Sequence, residues 1–282
     1  MNLRHLMIAG FTLLLLGSHA EAQTLPSPTM PAGDDPASYS VYSLGIEGFH
    51  DVYREPGAGL DVSDFSNYIS GTAAYKHYWS VDSDEEFVLG LDTRYSQGKD
   101  HYTSVSGESS GATQYEFENR ITAGLQFNTE SSGSFVPYTG IGWRYFMDQG
   151  KGSSTDLGYG GYDRRISQIY MPFGMDYIYK FNKQWSLTVN GEVDPLIHGN
   201  VESRLQDYGV GDMENRQTQG YGLRGGFLVG WTQDRLTYQA GPFVRYWTFE
   251  NSNYTYAPSV GQYFYEPKNT RVQYGAEFKV LW

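Results

Sequence analysis

From Tyr39 to the last residue the chain repeats one device: apolar and polar side chains alternate over long runs, and turn-rich gaps separate the runs. Ten runs can be marked, at about 40–54, 65–79, 86–100, 113–128, 135–148, 165–181, 185–203, 217–232, 236–250 and 269–282. The seventh is the clearest. Trp185, Leu187, Val189, Val193, Ile197 and Val201 fall on one parity, with Ser186, Thr188, Asn190, Glu192, Asp194, His198, Asn200, Glu202 and Arg204 on the other. The sixth sets Ile169, Met171, Phe173, Met175, Tyr177, Tyr179 and Phe181 against Gln168, Gly174, Asp176 and Lys180. The tenth, VQYGAEFKVLW, sets Val272, Tyr274, Ala276, Phe278, Val280 and Trp282 against Gln273, Gly275, Glu277 and Lys279. Successive side chains of a strand point to opposite faces, so a period of two predicts β-strands. A run of about 17 residues far exceeds the typical ~5–6 of a globular strand. The first two runs are weaker, since His50 and His77 fall on the apolar parity and a bulge there would shift the register.

The gaps alternate too. Those after even-numbered runs are short (VDSDEE, TESSGS, NKQ, TQDR), and those after odd-numbered runs hold about 10 to 18 residues. Aromatics gather beside the short gaps: Trp79 and Phe87, Phe127 and Phe135, Phe181 and Trp185, then Trp231 and Trp282. Trp143 and Trp247 would mark the opposite end. Long strands, short turns at one end, long loops at the other and two aromatic girdles predict an all-β fold: a transmembrane antiparallel up-and-down barrel. About ten strands are expected, with eight to twelve compatible. A soluble sandwich or propeller would show short strands and loops of similar length at both ends. The central runs carry almost no charge on their apolar parity, where a charge at mid-membrane costs roughly 2–4 kcal/mol.

The polar parity would then line the lumen, with Glu47, Asp51, Lys76, Asp92, Arg94, Glu116, Glu118, Arg120, Arg144, Asp176, Lys180, Glu192, Asp194, His198, Glu202, Arg204, Arg224, Arg245, Arg271, Glu277 and Lys279. A barrel of this size has room for side chains or one small ligand. Both signs are mixed, which favours a paired, hydrogen-bonded plug; a narrow polar conduit is the rival, and no ring of a single sign marks a selectivity filter.

Composition fits this picture. The chain has 282 residues with 34 Gly, 25 Tyr, 15 Phe, 6 Trp and no Cys, so disulfides and thiolate metal sites are excluded. A formal net charge of −12 argues against nucleic acid as a partner. MNLRHLMIAGFTLLLLGSHAEA has Arg4, an apolar run from Leu6 to Leu16 and an Ala20-Glu21-Ala22 cleavage pattern, the form of a secretory signal peptide over residues 1–22. Residues 23–39 are rich in proline and read as a periplasmic leader, followed by the barrel at 40–282.

Catalytic signals are thin. GESSG places Ser109 in a G-x-S-x-G match, yet that motif needs a strand-to-helix turn. The acidic DSDEE (Asp82 to Glu86) is too tight for a calcium loop. No cofactor motif occurs. Asp100 and His101 are neighbours in sequence, and His198 shares its parity with Asp194 and Glu202 about 13 Å away along the strand; either histidine would need a partner from another strand. The whole pattern resembles bacterial outer-membrane β-barrel proteins, and the terminal VQYGAEFKVLW resembles the C-terminal strand signal read by the barrel-assembly machinery, with Trp282 where Phe is usual. Ten strands with five long loops resemble the omptin surface proteases and the ten-stranded adhesins, and the stretch from Met171 to Val193 is similar in rhythm to an omptin hairpin. Omptins carry an Asp-x-Asp and an Asp-x-His pair facing each other at the rim. Here GKDHY offers Asp100 and His101, and LQDYG offers Asp207 with no histidine two residues on, so neither pair is intact. The resemblance implies the architecture and not the protease activity. The expectation is a non-enzymatic envelope barrel, contacting outer-membrane lipid and lipopolysaccharide, with surface loops or a small-solute path; the alternative is a hydrolase sited at the rim on Asp100, His101 and Asp207.

Overall fold

The computed structural model describes residues 38–56, 62–129 and 133–282. The expected signal peptide and leader lie outside these residues, apart from Ser38 and Tyr39, which already belong to the first strand. The strands are β1 (Ser38–Glu55), β2 (Val62–Asp82), β3 (Glu85–Ser104), β4 (Gly107–Asn128), β5 (Gly133–Gln149), β6 (Asp163–Tyr170), β7 (Phe173–Lys180), β8 (Trp185–Leu205), β9 (Gly211–Gln217), β10 (Gly220–Gln233), β11 (Leu236–Phe249), β12 (Thr255–Ala257), β13 (Gln262–Phe264) and β14 (Asn269–Leu281). Neighbours pair antiparallel in chain order, and β14 closes the ring on β1 from Ser43 opposite Leu281 to Arg54 opposite Thr270. Tyr42 and Trp282 exchange both backbone hydrogen bonds at 3.0 Å. β6 and β7 occupy one place in the ring, both between β5 and β8, and β9 and β10 both pair with β8. Ten places result, as the ten runs predict.

The interruptions have a chemical cause. Pro172 separates β6 from β7 and has no N–H for the ladder; Met171 before it donates to Pro195 O at 3.0 Å. The ladder of β4 with β5 also skips at Pro137, and that of β10 with β11 at Pro242. At Gly241 the opposite strand passes so close that a Cβ would lie 1.9 Å from the carbonyl oxygen of Phe227.

The β1–β2 register runs unbroken from Ser38 opposite Trp79 to Glu55 opposite Val62. His50 and His77 therefore face outward without a bulge, and His77 Nδ1 lies 2.8 Å from Ser40 Oγ. The gap expected after the third run is instead a continuation of the strands: β3 and β4 meet at a two-residue turn, with Gly107 and Gly111 at φ of 101° and 94°. The largest departure is in β8. Ile169 pairs with His198 but Tyr170 with Leu196, so two successive β8 residues, Ile197 and His198, both point outward.

Candidate functional site

At mid-height the inward side chains are charged, and the strands bring opposite signs together. Arg94 on β3 donates from Nη2 to Glu116 Oε1 at 2.7 Å and to Glu118 Oε2 at 3.0 Å, both on β4. Arg144 on β5 donates Nε to the same Glu116 oxygen at 2.6 Å. Arg224 on β10 reaches across the lumen. Its Nε donates to Asp194 Oδ2 at 2.6 Å and lies 3.1 Å from Glu192 Oε1; its Nη1 donates to Glu118 Oε2 at 3.0 Å, while Nη2 binds Glu118 Oε1. Arg120 binds Glu192 Oε2, which also accepts the Tyr138 hydroxyl at 2.7 Å. Arg245 clamps Glu47 through contacts of 2.6 and 3.1 Å. Arg271 pairs with Asp51 at 3.3 Å, and Gln273 Nε2 donates to Asp51 and Glu116, each at 2.7 Å.

Six guanidiniums thus face six carboxylates: Arg94, Arg120, Arg144, Arg224, Arg245 and Arg271 against Glu47, Asp51, Glu116, Glu118, Glu192 and Asp194. Aromatic rings fill the space between them. Arg144 and Arg224 lie 5.3 and 5.5 Å from the Trp247 ring, Arg271 lies 3.9 Å from Phe146 and Arg245 4.0 Å from Phe243. Desolvated contacts of this kind are worth about 2 kcal/mol each. Tyr170 donates its hydroxyl to Glu118 Oε1 at 2.5 Å. Asp194, Gln273 and Tyr170 are 0% exposed and Trp247 1%, so the centre of this layer is buried, while Arg120 and Arg245 at its margin stay partly exposed. Below it the lumen is wetter: Lys76 and Asp176 pair at 3.4 Å with the lysine partly exposed, Asp92 lies near Lys76, and Glu277 meets Lys279 at 3.7 Å.

A second closure lies at the end with the long loops. Arg164 Nη1 donates to Glu266 Oε1 at 3.1 Å and to Glu55 Oε1 at 3.4 Å, over the face of Tyr53 at 5.0 Å. The Tyr53 hydroxyl donates to Glu55 at 2.5 Å. Glu266 belongs to the loop between β13 and β14, so this loop is fastened to the inside of the wall. Burial holds the Glu266 carboxyl above the usual carboxylate range; Arg164 opposes the shift and Glu55 adds to it.

Several expected positions move. His198 is exposed on the outer face, because the bulge turns β8 over; it does not line the lumen with Asp194. The same inversion carries Glu202 and Arg204 away from the interior, where Glu202 pairs with Arg165 at 3.6 Å and with Arg204 at 3.0 Å. Trp247 is a buried interior residue and not part of a girdle, sharing the inward parity of Arg245. Trp79, Trp185, Trp231 and Trp282 are exposed on the outer face at the end with the short turns, and Trp143 is exposed nearer the other end. Asp100 is buried facing Asp64 and Asp148, His101 is exposed, and Asp207 sits on an outer 3-10 turn where Lys151 Nζ approaches it at 2.6 Å. These three residues have different surroundings and form no set. Ser109 lies on β4 opposite Tyr102, not at a turn into a helix. Among the described residues no group of three or more His, Asp or Glu is arranged to hold a metal ion.

No protein-family model matches the chain, and no curated protein is similar to it in sequence. Solved structures are similar in fold. The outer membrane protease OmpT from Escherichia coli superimposes with a TM-score of 0.59 at 11% identity, covering 91% of this chain and 99% of that one. The chain folds as an outer-membrane β-barrel. More distant matches to this barrel are the Pseudomonas putida toluene transporter TodX (TM-score 0.37, 9% identity, 88% of this chain and 90% of that one) and OprG from Pseudomonas aeruginosa (0.36, 9%, 88% and 97%).

Proposed function

We propose that the barrel is a closed, non-enzymatic scaffold of the bacterial outer membrane, which presents its long loops at the cell surface. The observation that carries this is the buried layer in which Arg224 joins Glu118, Glu192 and Asp194 across the lumen, with opposite charges paired among its neighbours. A conduit needs a wetted path with sites that bind weakly enough to release; a buried layer of paired opposite charges argues against both. The Glu266–Arg164 fastening supports the same reading, since it ties a surface loop over the mouth. A cleaved signal at residues 1–22 would deliver the chain across the inner membrane, the barrel-assembly machinery would take up its C-terminal strand, and lipid and lipopolysaccharide would surround the outer face. Reconstitution of the purified protein in planar lipid bilayers tests the closed lumen. No stable conductance is expected; reproducible ohmic steps from the wild type would overturn the proposal.

A further inference from the structure

The hairpin of β12 and β13 carries four tyrosines on one face. Tyr256 stands opposite Tyr263 in the ladder, and Tyr254 meets Tyr265 two residues further along, just beyond the strand ends. The ring centroids of the two pairs are 5.0 and 4.8 Å apart, tilted by 48° and 47°, so neither pair covers its own faces. The four are 63%, 50%, 68% and 36% exposed in chain order, and among the described residues no hydrogen bond uses any of their hydroxyls.

The opposite face of the hairpin is anchored. Asn215 Nδ2 on β9 donates to Asn253 O at 2.9 Å, to Thr255 Oγ1 at 3.1 Å and to Phe264 O at 3.2 Å. Thr255 Oγ1 donates to Glu214 O at 2.6 Å, and Ser259 at the tip donates to Val210 O at 2.8 Å. Ala257 is fully buried. The hairpin backbone that carries the rings is therefore held in place before any ligand arrives, which lowers the ordering cost of binding.

We propose that this tyrosine face is a binding site for neutral oligosaccharide, resting on the reading of the barrel as a loop-presenting surface protein. Residues 251–265, NSNYTYAPSVGQYFY, contain no Asp, Glu, Lys, Arg or His, so the hairpin itself offers no charge with which to select an ionic ligand. Aromatic faces carry negative potential that meets the C–H bonds on one side of a pyranose ring, while free phenol hydroxyls at the ring edges can bond to sugar hydroxyls. The two tyrosine pairs are spaced two residues apart along the strands, roughly 7 Å, which suits successive units of a chain. The exposed ring surface is about 400–500 Å², well below the ~800 Å² per partner of a standard protein interface. A small extended ligand fits that area better than a folded protein.

The test uses the full-length protein in detergent micelles on an array of neutral gluco-, manno- and galacto-oligosaccharides, with heparin and sialylated oligosaccharides beside them. Retention of at least one neutral probe is expected, unchanged by added salt. Paired Tyr256→Ala and Tyr263→Ala substitutions should weaken it about tenfold or more, and the corresponding Phe pair, which keeps the rings, by only about two- to threefold. The variants are surface changes, and unaltered electrophoretic heat-modifiability checks that they fold. Retention of no neutral probe, retention of acidic probes alone, or neutral binding indifferent to the Ala pair would each overturn the inference. A bilayer conductance measurement on the same preparation separates the two failures: a silent array with a silent bilayer removes only the glycan site, whereas stable conductance removes the closed-scaffold reading.

Discussion

Replacing Arg224 with alanine tests whether the interior is held by charge matching or merely filled. The guanidinium serves three carboxylates, but the loss is not threefold. Glu118 keeps Arg94 at 3.0 Å, and Glu192 keeps Arg120 and the Tyr138 hydroxyl. Asp194 keeps no cation among the described residues: its ion pair there, at 2.6 Å, is with Arg224, and the side chain is fully buried. The variant therefore strands one carboxylate, and breaking a buried pair in this way costs about 3–5 kcal/mol. Replacing both members is different in kind. Arg224→Met with Asp194→Leu removes the stranded charge along with its partner, and such double replacements are often neutral or stabilising. Urea unfolding in lipid vesicles, followed by tryptophan fluorescence, reads both numbers, and Trp247, whose ring lies 5.5 Å from Arg224, reports from the site itself. The double variant should recover most of the loss. A single variant within about 0.5 kcal/mol of wild type would show that the pair carries no net energy. A double variant as unstable as the single would show that Arg224 acts through packing on Tyr170 and Trp247.

Gly142→Ala places a Cβ 2.1 Å from the Tyr170 ring, which is already wedged against Glu118, so overpacking should cost about 1–3 kcal/mol by the same unfolding assay. The raised Glu266 carboxyl predicts a pH effect on the loop it fastens: a carboxyl raised on folding binds more protons folded than unfolded, so its stabilisation is full below the unfolded value and is lost as pH rises through the folded one. Hydrogen exchange over residues 250–268, corrected for intrinsic rates, should thus be slower at pH ~5 than at pH ~8, and Glu266→Gln should flatten the difference; equal protection in the wild type would refute the argument. The Lys151–Asp207 pair is half exposed on both sides, so Asp207→Ala should leave the unfolding midpoint within about 0.5 kcal/mol of wild type.

Period two made the strands legible, and the alternation of gap lengths made their order legible. The charged interior was legible by the same parity, and it also contained Trp247, through Arg245 two residues before it, and Gln273, through Arg271. Glu266 carries no such signal, because it sits in irregular chain where side-chain direction has no period. The extension of β3 and β4 past their expected ends was hidden by composition: YTSVSGESSGAT reads as loop, yet β-branched and hydroxyl side chains pair well in a hairpin that, on the proposed membrane reading, needs no apolar face beyond the lipid.

The bulge in β8 explains why His198 and Val201 defeat a strict alternation. Up to Ile197 the odd positions face outward and are apolar; after the doubled outward step at Ile197 and His198 the even positions do, and these are Asn200, Glu202 and Arg204. Val201, which parity alone sends to lipid, is fully buried inside. On the proposed membrane reading the inversion is useful at that height. Below it the strand needs an apolar outside and an inside that serves the ion layer, with Asp194 and Glu192 among the charges and Leu196 against the Tyr170–Trp247–Phe249 cluster; above it the outside meets water and Val201 turns inward. One extra residue exchanges the two faces at the boundary. The break at Pro172 lies directly across from it, where Met171 bonds to Pro195, so the ladder on that side is already open and the bulge costs fewer hydrogen bonds than it would elsewhere.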